Sequence, residues 1–188
     1  MKRWLWKKAQ PSMDLTRLVF IDESGAKTNM TRLYGRAKGG LRMVDDTPCG
    51  HWHTTTMISS LRMDGSTACM VVDGATDKDV FGVYVKNILL PTLKAGDIVV
   101  LDNLSAHKDA DAISIIESVG AVVWFLPPYS PDLNPIEKMW SKVKQFLRSA
   151  KARTQEVLIK AVAEALETVS SRDAAAWFMS CGYQSIIC

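Results

Sequence analysis

Three carboxylates stand where their side chains could converge. Asp22 closes the apolar run RLVFID, Asp102 closes IVVLD, and Glu137 follows the proline-rich stretch FLPPYSPDLNPIEKMW. The first two end strand-like runs, where side chains emerge at one edge of a sheet and ligands of open α/β folds bind. Glu137 arrives near that edge on a helix whose start is stiffened by prolines. Carboxylates that converge without fixed cations repel one another and raise their pKa values. Mg²⁺ resolves that conflict, because it takes oxygen ligands and leaves room for water and substrate phosphate oxygens. Two such ions roughly 4 Å apart would clamp the attacking and leaving oxygens of an in-line phosphoryl displacement.

Each acid also has a structural reading. Asn134-x-x-Glu137 is a variant of the capping box, Asp102 suits a turn or cap, and Asp22 suits a strand end. Glu23 adjoins Asp22, but the period of two sends the two side chains to opposite faces, so only one can point into a site. Asp73 and Asp132 sit in turn contexts. Asn103 and His107 follow Asp102 closely enough to donate hydrogen bonds to it, with a solvated histidine at a helix start as the other reading for His107. His51 and His53 lack a third ligand at suitable spacing, and the four scattered cysteines form no CxxC pair, so neither group makes a transition-metal site. Gly35 to Gly40 lacks the ending of a nucleotide-binding loop. No serine or cysteine has the setting of an activated nucleophile.

The elements that must position these acids follow from periodicity. Arg17–Asp22 is expected as a buried strand, and Thr31–Val72, punctuated by glycines among Thr, Val, Met and Trp, as antiparallel hairpins. Apolar residues from Val80 to Leu89 recur at helical spacing after Asp77–Asp79 and stop at Pro91. IVVLD is expected as a strand covered on both faces, His107–Val119 as a helix closed by Gly120, and AVVWFL as another buried strand, which together form a parallel crossover. Pro127, Pro128 and Pro131 end that strand and hold the chain extended. Asn134 is placed as N-cap and Pro135 at the first helical position. Ile136, Met139, Trp140, Val143, Phe146 and Leu147 make the buried stripe of the helix, and Lys138, Lys142 and Ser149 lie along another face. A last amphipathic helix starts at Thr154, with an apolar side from Val157 to Val169.

At 188 residues, 47% hydrophobic and 23% charged, the chain suffices for one core with appendages. Residues 1–16 read as a basic arm or linker remnant, 17–150 as the α/β core, and 151–188 as a helical extension packed on it. No apolar run reaches the roughly 18 residues of a membrane helix, and the opening MKRWLWKKAQPSM lacks the apolar block of a secretory signal. A cytoplasmic protein with reduced thiols is expected. The net charge of +3 and pI of 8.7 are weak evidence for a polyanionic partner. Distribution says more: basic residues cluster at 2–8, in RLYGRAKGGLR, and between Lys138 and Arg153.

FIDES, VVLDNLSAH and LPPYSPDLNPIEKMW resemble the three signatures of Asp-Asp-Glu transposases from bacterial insertion sequences, in the mariner-related insertion-sequence 630 group. TRLYGRA, GHWHTTT and LPTL-x-x-GDIVV are similar to the same group, so the resemblance runs from about Met13 to Tyr183. It implies a ribonuclease H-like α/β fold, a mixed five-stranded sheet of three antiparallel then two parallel strands with flanking helices. It implies that Asp22, Asp102 and Glu137 bind two divalent ions, Mg²⁺ or Mn²⁺, and the 34 residues between Asp102 and Glu137 suit the group's spacing. The implied reaction is hydrolysis at each element end, then attack of the freed 3′-hydroxyl on target DNA at a TA step. Arg36, Lys38, Lys138, Lys142 and Arg148 are the candidates for holding phosphates. Members of the group carry helix-turn-helix modules ahead of the catalytic domain, and some are encoded in two overlapping frames. The resemblance therefore implies double-stranded DNA as partner, a homodimer on it, an upstream-frame half supplying those modules, and a place at the bacterial nucleoid. A product that keeps the fold but only binds DNA or the full-length protein, as regulator or relic, is the alternative. A general nuclease or junction resolvase on the same fold is the third.

Overall fold

The computed structural model describes residues 2–46 and 54–184. Cys49, His51, His53 and Cys188, and much of GHWHTTT, lie outside the described residues. One mixed sheet runs in the order β3-β2-β1-β4-β5, built from β1 (Leu18–Lys27), β2 (Thr54–Leu61), β3 (Thr67–Asp73), β4 (Ile98–Leu101) and β5 (Val122–Phe125). β1 pairs antiparallel with β2 and parallel with β4, and β5 lies parallel to β4. This is the five-stranded arrangement that the resemblance implied.

Alternation along β1 divides the interior in two. Leu18, Phe20 and Ala26 enter one core with the buried stripe of α4 (Ile136–Ala150) and residues of α5 (Gln155–Glu167) and α6 (Ser171–Ser180). Val19 and Ile21 enter the other, against α2 (Lys78–Tyr84) and α3 (Ala110–Glu117). A strand placed between two helical layers must be apolar at every position. β4 satisfies this with Val99, Val100 and Leu101 all fully buried.

Several expectations are corrected. Residues 28–46 form no strand; among the described residues only β2 and β3 make a tight hairpin, turned at Gly65, whose φ of +86° suits a residue without a side chain. Thr, Val and aromatic residues at 31–46 suit a strand locally, yet the segment has no neighbour to pair with and is mostly exposed. β1 outruns its apolar stretch by five residues because β2 pairs with it as far as Lys27. β5 is an edge strand, with Val122 exposed and Val123 to Phe125 only half-buried. α3 starts at Ala110 because the Asp109 carboxylate accepts the Ala112 N–H, and His107 precedes it in a 3₁₀ turn. The helix begun at Lys78 widens into a π turn over Val85–Leu89 before Pro91.

The opening residues are structured. α1 (Arg3–Ala9) buries Trp6 completely, and the Trp6 indole N–H donates to the Tyr183 hydroxyl at 3.0 Å. That hydroxyl donates in turn to the Leu133 carbonyl at 2.8 Å, inside the proline connector. Among the described residues, no helix is long and apolar enough to cross a membrane.

Candidate active site

Strand register brings the first two acids together. The last β1–β4 pair is Phe20 with Val100; Asp22 lies two residues further along β1, and Asp102 two residues further along the chain, just past the end of β4. Equal steps on parallel neighbours keep both acids at one level, and the period of two keeps both on the face of Phe20 and Val100, which belong to the same core. Glu137 arrives from α4, whose Ile136, Met139, Trp140, Val143 and Leu147 lock it against that core. All three carboxylates line one cavity of about 400 Å³, walled by the proline connector.

The connector is stiff and anchored. Arg3 donates to the Ser130 hydroxyl at 3.0 Å and pairs with both oxygens of Asp132. Tyr129 stands fully exposed at the cavity mouth with φ +54°, a left-handed conformation uncommon for an aromatic residue. Only the prolines around it could have hinted at this strain.

Glu137 does not serve as a capping-box acid. Pro135, not Asn134, is the N-cap: it already has helical geometry, α4 begins at Ile136 without a side-chain cap, and the Asn134 backbone N–H donates to the Pro131 carbonyl. The Asn134 side-chain oxygen is buried without a partner, and the exposed Glu137 is left facing the cavity. Asp22 is 8% exposed, and burial first, then the negative charges of Glu137 and Asp102, push its carboxyl up to about 7. Asp102 behaves in the opposite sense: burial raises it, but hydrogen bonds from His107 and the Leu104 N–H hold it below the usual carboxylate range. Both bonds fall on one oxygen, Oδ1, at 2.6 Å from His107 Nδ1 and 2.9 Å from Leu104 N.

His107 is therefore no solvated helix-start residue. It is completely buried, its ring 4.5 Å from that of Phe81; burial lowers its pKa, but the hydrogen bond to Asp102 and the Glu23 carboxylate 3.6 Å away outweigh this and raise it to about 9. Asn103 lines the same cavity and donates to the Leu126 carbonyl at 2.5 Å, tying the end of β4 to the end of β5.

The donor set suits a hard divalent cation. Three carboxylates share one cavity with no lysine or arginine in its described wall, and the raised pKa of Asp22 reflects burial and a repulsion that a cation would relieve. Among the described residues no three such side chains are drawn together as a finished cage.

The basic candidates separate by face. Glu137, Ser141, Gln145 and Arg148 recur at helical spacing, and the last three line a further cavity of about 440 Å³ with Arg32, Leu33 and Tyr34. Lys144 lies on the same side by helical phase and is missing from the sequence-derived set. Lys142 points elsewhere: its ammonium donates to the Thr168 carbonyl at 2.6 Å and pairs with Asp173 at 2.8 Å, tying α4 to α6. Lys138 also faces α6, where its charge reaches Cys181. Arg36 and Lys38 are exposed on the 28–46 segment.

The family model described as DDE superfamily endonuclease matches residues 17–159. Among solved structures, the Mos1 transposase paired-end complex with left transposon end is similar at a TM-score of 0.72 and 14% identity, over 95% of this chain and 56% of that one. The Mos1 transposase catalytic domain with raltegravir and Mg gives 0.62 and 12%, over 95% and 85%. The simian T-cell lymphotropic virus intasome, in complex with PP2A regulatory subunit B56 gamma, gives 0.57 and 13%, over 81% and 48%. At such identities the likeness establishes the fold, which is ribonuclease H-like. The chain spans about half the length of the Mos1 chain in the paired-end complex. No curated protein matches its sequence.

Proposed function

The chain belongs to the DDE superfamily endonucleases, and from that premise we propose that it is the catalytic domain of a DNA transposase of the mariner-related insertion-sequence 630 group. The observation that carries the reading is the meeting of Asp22, Asp102 and Glu137 on one cavity, with Asp22 pushed up to about 7. These three residues would hold two divalent ions, Mg²⁺ or Mn²⁺, which supply the electrophilic pull on the phosphate and the acidity of the attacking hydroxyl. Structures similar to this one include Mos1 paired-end complexes with Mg and with Mn and a Mos1 strand transfer complex, which supports both the ions and the substrate class.

The chain's own residues provide positioning. His107 and the Leu104 N–H fix Asp102 through one oxygen and leave Oδ2 free for the cavity. The proline connector, anchored by Arg3 and Tyr183, fixes the first turn of α4 and with it Glu137. From Glu137 to Arg148 the same helix face runs about 16 Å at ~1.5 Å per residue, a track for successive phosphates of a duplex. Arg32, Lys144 and Arg148 flank that track, and Arg36 and Lys38 extend it along the 28–46 segment. Lys142 contributes to phosphate binding only if it leaves Asp173. The substrates are the ends of a mobile element and a TA step in target DNA, engaged by two copies of the protein. Further modules, here or in an upstream-frame partner, recognise the end sequences. In this reading residues 17–150 are the catalytic unit, and 151–184 a support packed on it.

The test is nicking of a labelled duplex by the purified chain with Mg²⁺ or Mn²⁺, beside Asp102→Ala. Cutting by the parent and none by the variant is expected. Salt-sensitive DNA binding without cutting by either favours the regulator reading instead.

A further inference from the structure

Asp22 and Glu23 are consecutive on β1 and lie on opposite faces of the sheet. Asp22 shares its face with Phe20 and lines the acidic cavity, while Glu23 shares the face of Val19 and Ile21 and points to the layer of α2 and α3. By strand periodicity Glu23 is excluded from the site. Its side chain nevertheless ends 3.6 Å from the Nε2 atom of His107, whose other ring nitrogen holds Asp102 at 2.6 Å.

His107 Nε2 and Glu23 Oε1 are both buried, and neither has a hydrogen-bond partner. At 3.6 Å they form an ion pair too long for a hydrogen bond, and a buried ion pair stabilises no more than apolar residues of similar size, so packing alone does not account for the residues at 23 and 107. Phe81 closes the other side of the ring at 4.5 Å, so the imidazole is held by its face, by Asp102 at one edge and by Glu23 at the other. We propose that Glu23 is a positioning residue for the candidate active site: it fixes the His107 ring from behind, so that Nδ1–H stays on Asp102 Oδ1 and Oδ2 stays turned to the cavity. Two neighbouring acids on one strand thus serve the two sides of the site, Asp22 directly and Glu23 through His107. Outer partners of this kind orient metal-holding carboxylates, and their loss lowers metal affinity by about 10–100-fold.

This inference rests on the reading of the three carboxylates as an ion site, and its test separates the two. Glu23→Gln, His107→Asn and the double variant are compared with the parent in the full chain, with thermal melts to check folding. The asparagine amide at 107 retains a donor toward Asp102 but cannot reach Glu23. Mn²⁺ binding is measured by titration, duplex nicking at saturating Mn²⁺, and the His107 ring by its nitrogen resonances. Glu23→Gln is expected to shift the ring resonances, weaken Mn²⁺ binding at least about tenfold, and have no added effect once His107→Asn is present. Ring resonances and Mn²⁺ binding unchanged in Glu23→Gln, or a loss of binding that multiplies in the double variant, would overturn the role of Glu23. If the parent itself neither binds Mn²⁺ nor cuts, the ion site fails, and the ring resonances still decide whether Glu23 holds His107.

Discussion

Two cavities lie at opposite ends of the β1 and β4 strands, and each has a buried aspartate in its wall. The larger, about 760 Å³, contains Asp97 just before β4, and the smaller, about 400 Å³, contains Asp22 near the strands' other end. Asp97 is fully matched: Arg62 grips both its oxygens at 3.2 and 2.5 Å, and the Lys94 N–H adds a third bond at 2.8 Å. Asp22 accepts only its neighbour's backbone N–H, at 2.8 Å, and faces two further carboxylates. One acid holds the hairpin of β2 and β3 to the start of β4. The other is held by the fold in a place that is electrostatically unfavourable for it. Size therefore does not indicate chemistry here; unmatched charge does.

The contrast is tested most strongly by removing charge at each end. Glu137→Gln is expected to lower cleavage by roughly a thousandfold, the scale of losing part of a metal-centred charge stabilisation, with a melting temperature at or above the parent's. Asp97→Ala should cost about 3 kcal/mol, because it leaves the half-buried Arg62 guanidinium with only the Thr92 carbonyl, while the folded fraction still cuts; chemical denaturation and single-turnover nicking check the two halves. Equal stability losses in both variants would erase the distinction between the two ends.

A pH series sharpens the same comparison. The folded-state pKa of Asp22, about 7, lies above its ordinary value of 3.8. The folded chain then binds this proton more tightly than the unfolded one, so Asp22 subtracts from stability as pH rises from about 4 to about 7. An ion at the site must displace the proton at low pH and meets a bare carboxylate at high pH. Mn²⁺ should therefore raise the melting temperature more at about pH 8 than at about pH 5.5, and Asp22→Asn should remove that difference.

The smallest effects concern the cations. Arg148→Ala should weaken duplex binding and lower the salt slope by about one unit. Lys142→Ala should leave DNA binding near the parent's and cost about 0.2–1 kcal/mol of stability, since its pair with Asp173 is partly exposed. A larger DNA defect in Lys142→Ala than in Arg148→Ala would return Lys142 to the phosphate track.

Much of the arrangement was legible because it depends on local pattern. Apolar runs ending on acids gave β1 and β4, and the stripe from Ile136 to Leu147 gave the buried side of α4. Helical phase alone separated Lys138 and Lys142 from other residues of α4, but not which side would meet α6, since that depends on Asp173, 31 positions away. The 28–46 segment was misread because β-favouring composition does not supply a pairing partner. The period of two places Glu23 on the far face, as found, but does not show its approach to His107. A side chain behind a sheet edge can reach a loop that wraps around it, and sequence periodicity does not record that contact. His107 was named for its nearness to Asp102, while its burial against Phe81 required the tertiary fold.

The central claim is that the unmatched acids hold metal and the matched one does not. Mn²⁺ titration of the parent, Asp102→Asn and Asp97→Asn, followed by the loss of free-ion paramagnetic signal, tests it without needing DNA or turnover. Binding by the parent and Asp97→Asn, with loss in Asp102→Asn, is the expected result. Binding that survives Asp102→Asn, or that vanishes in folded Asp97→Asn, would contradict it.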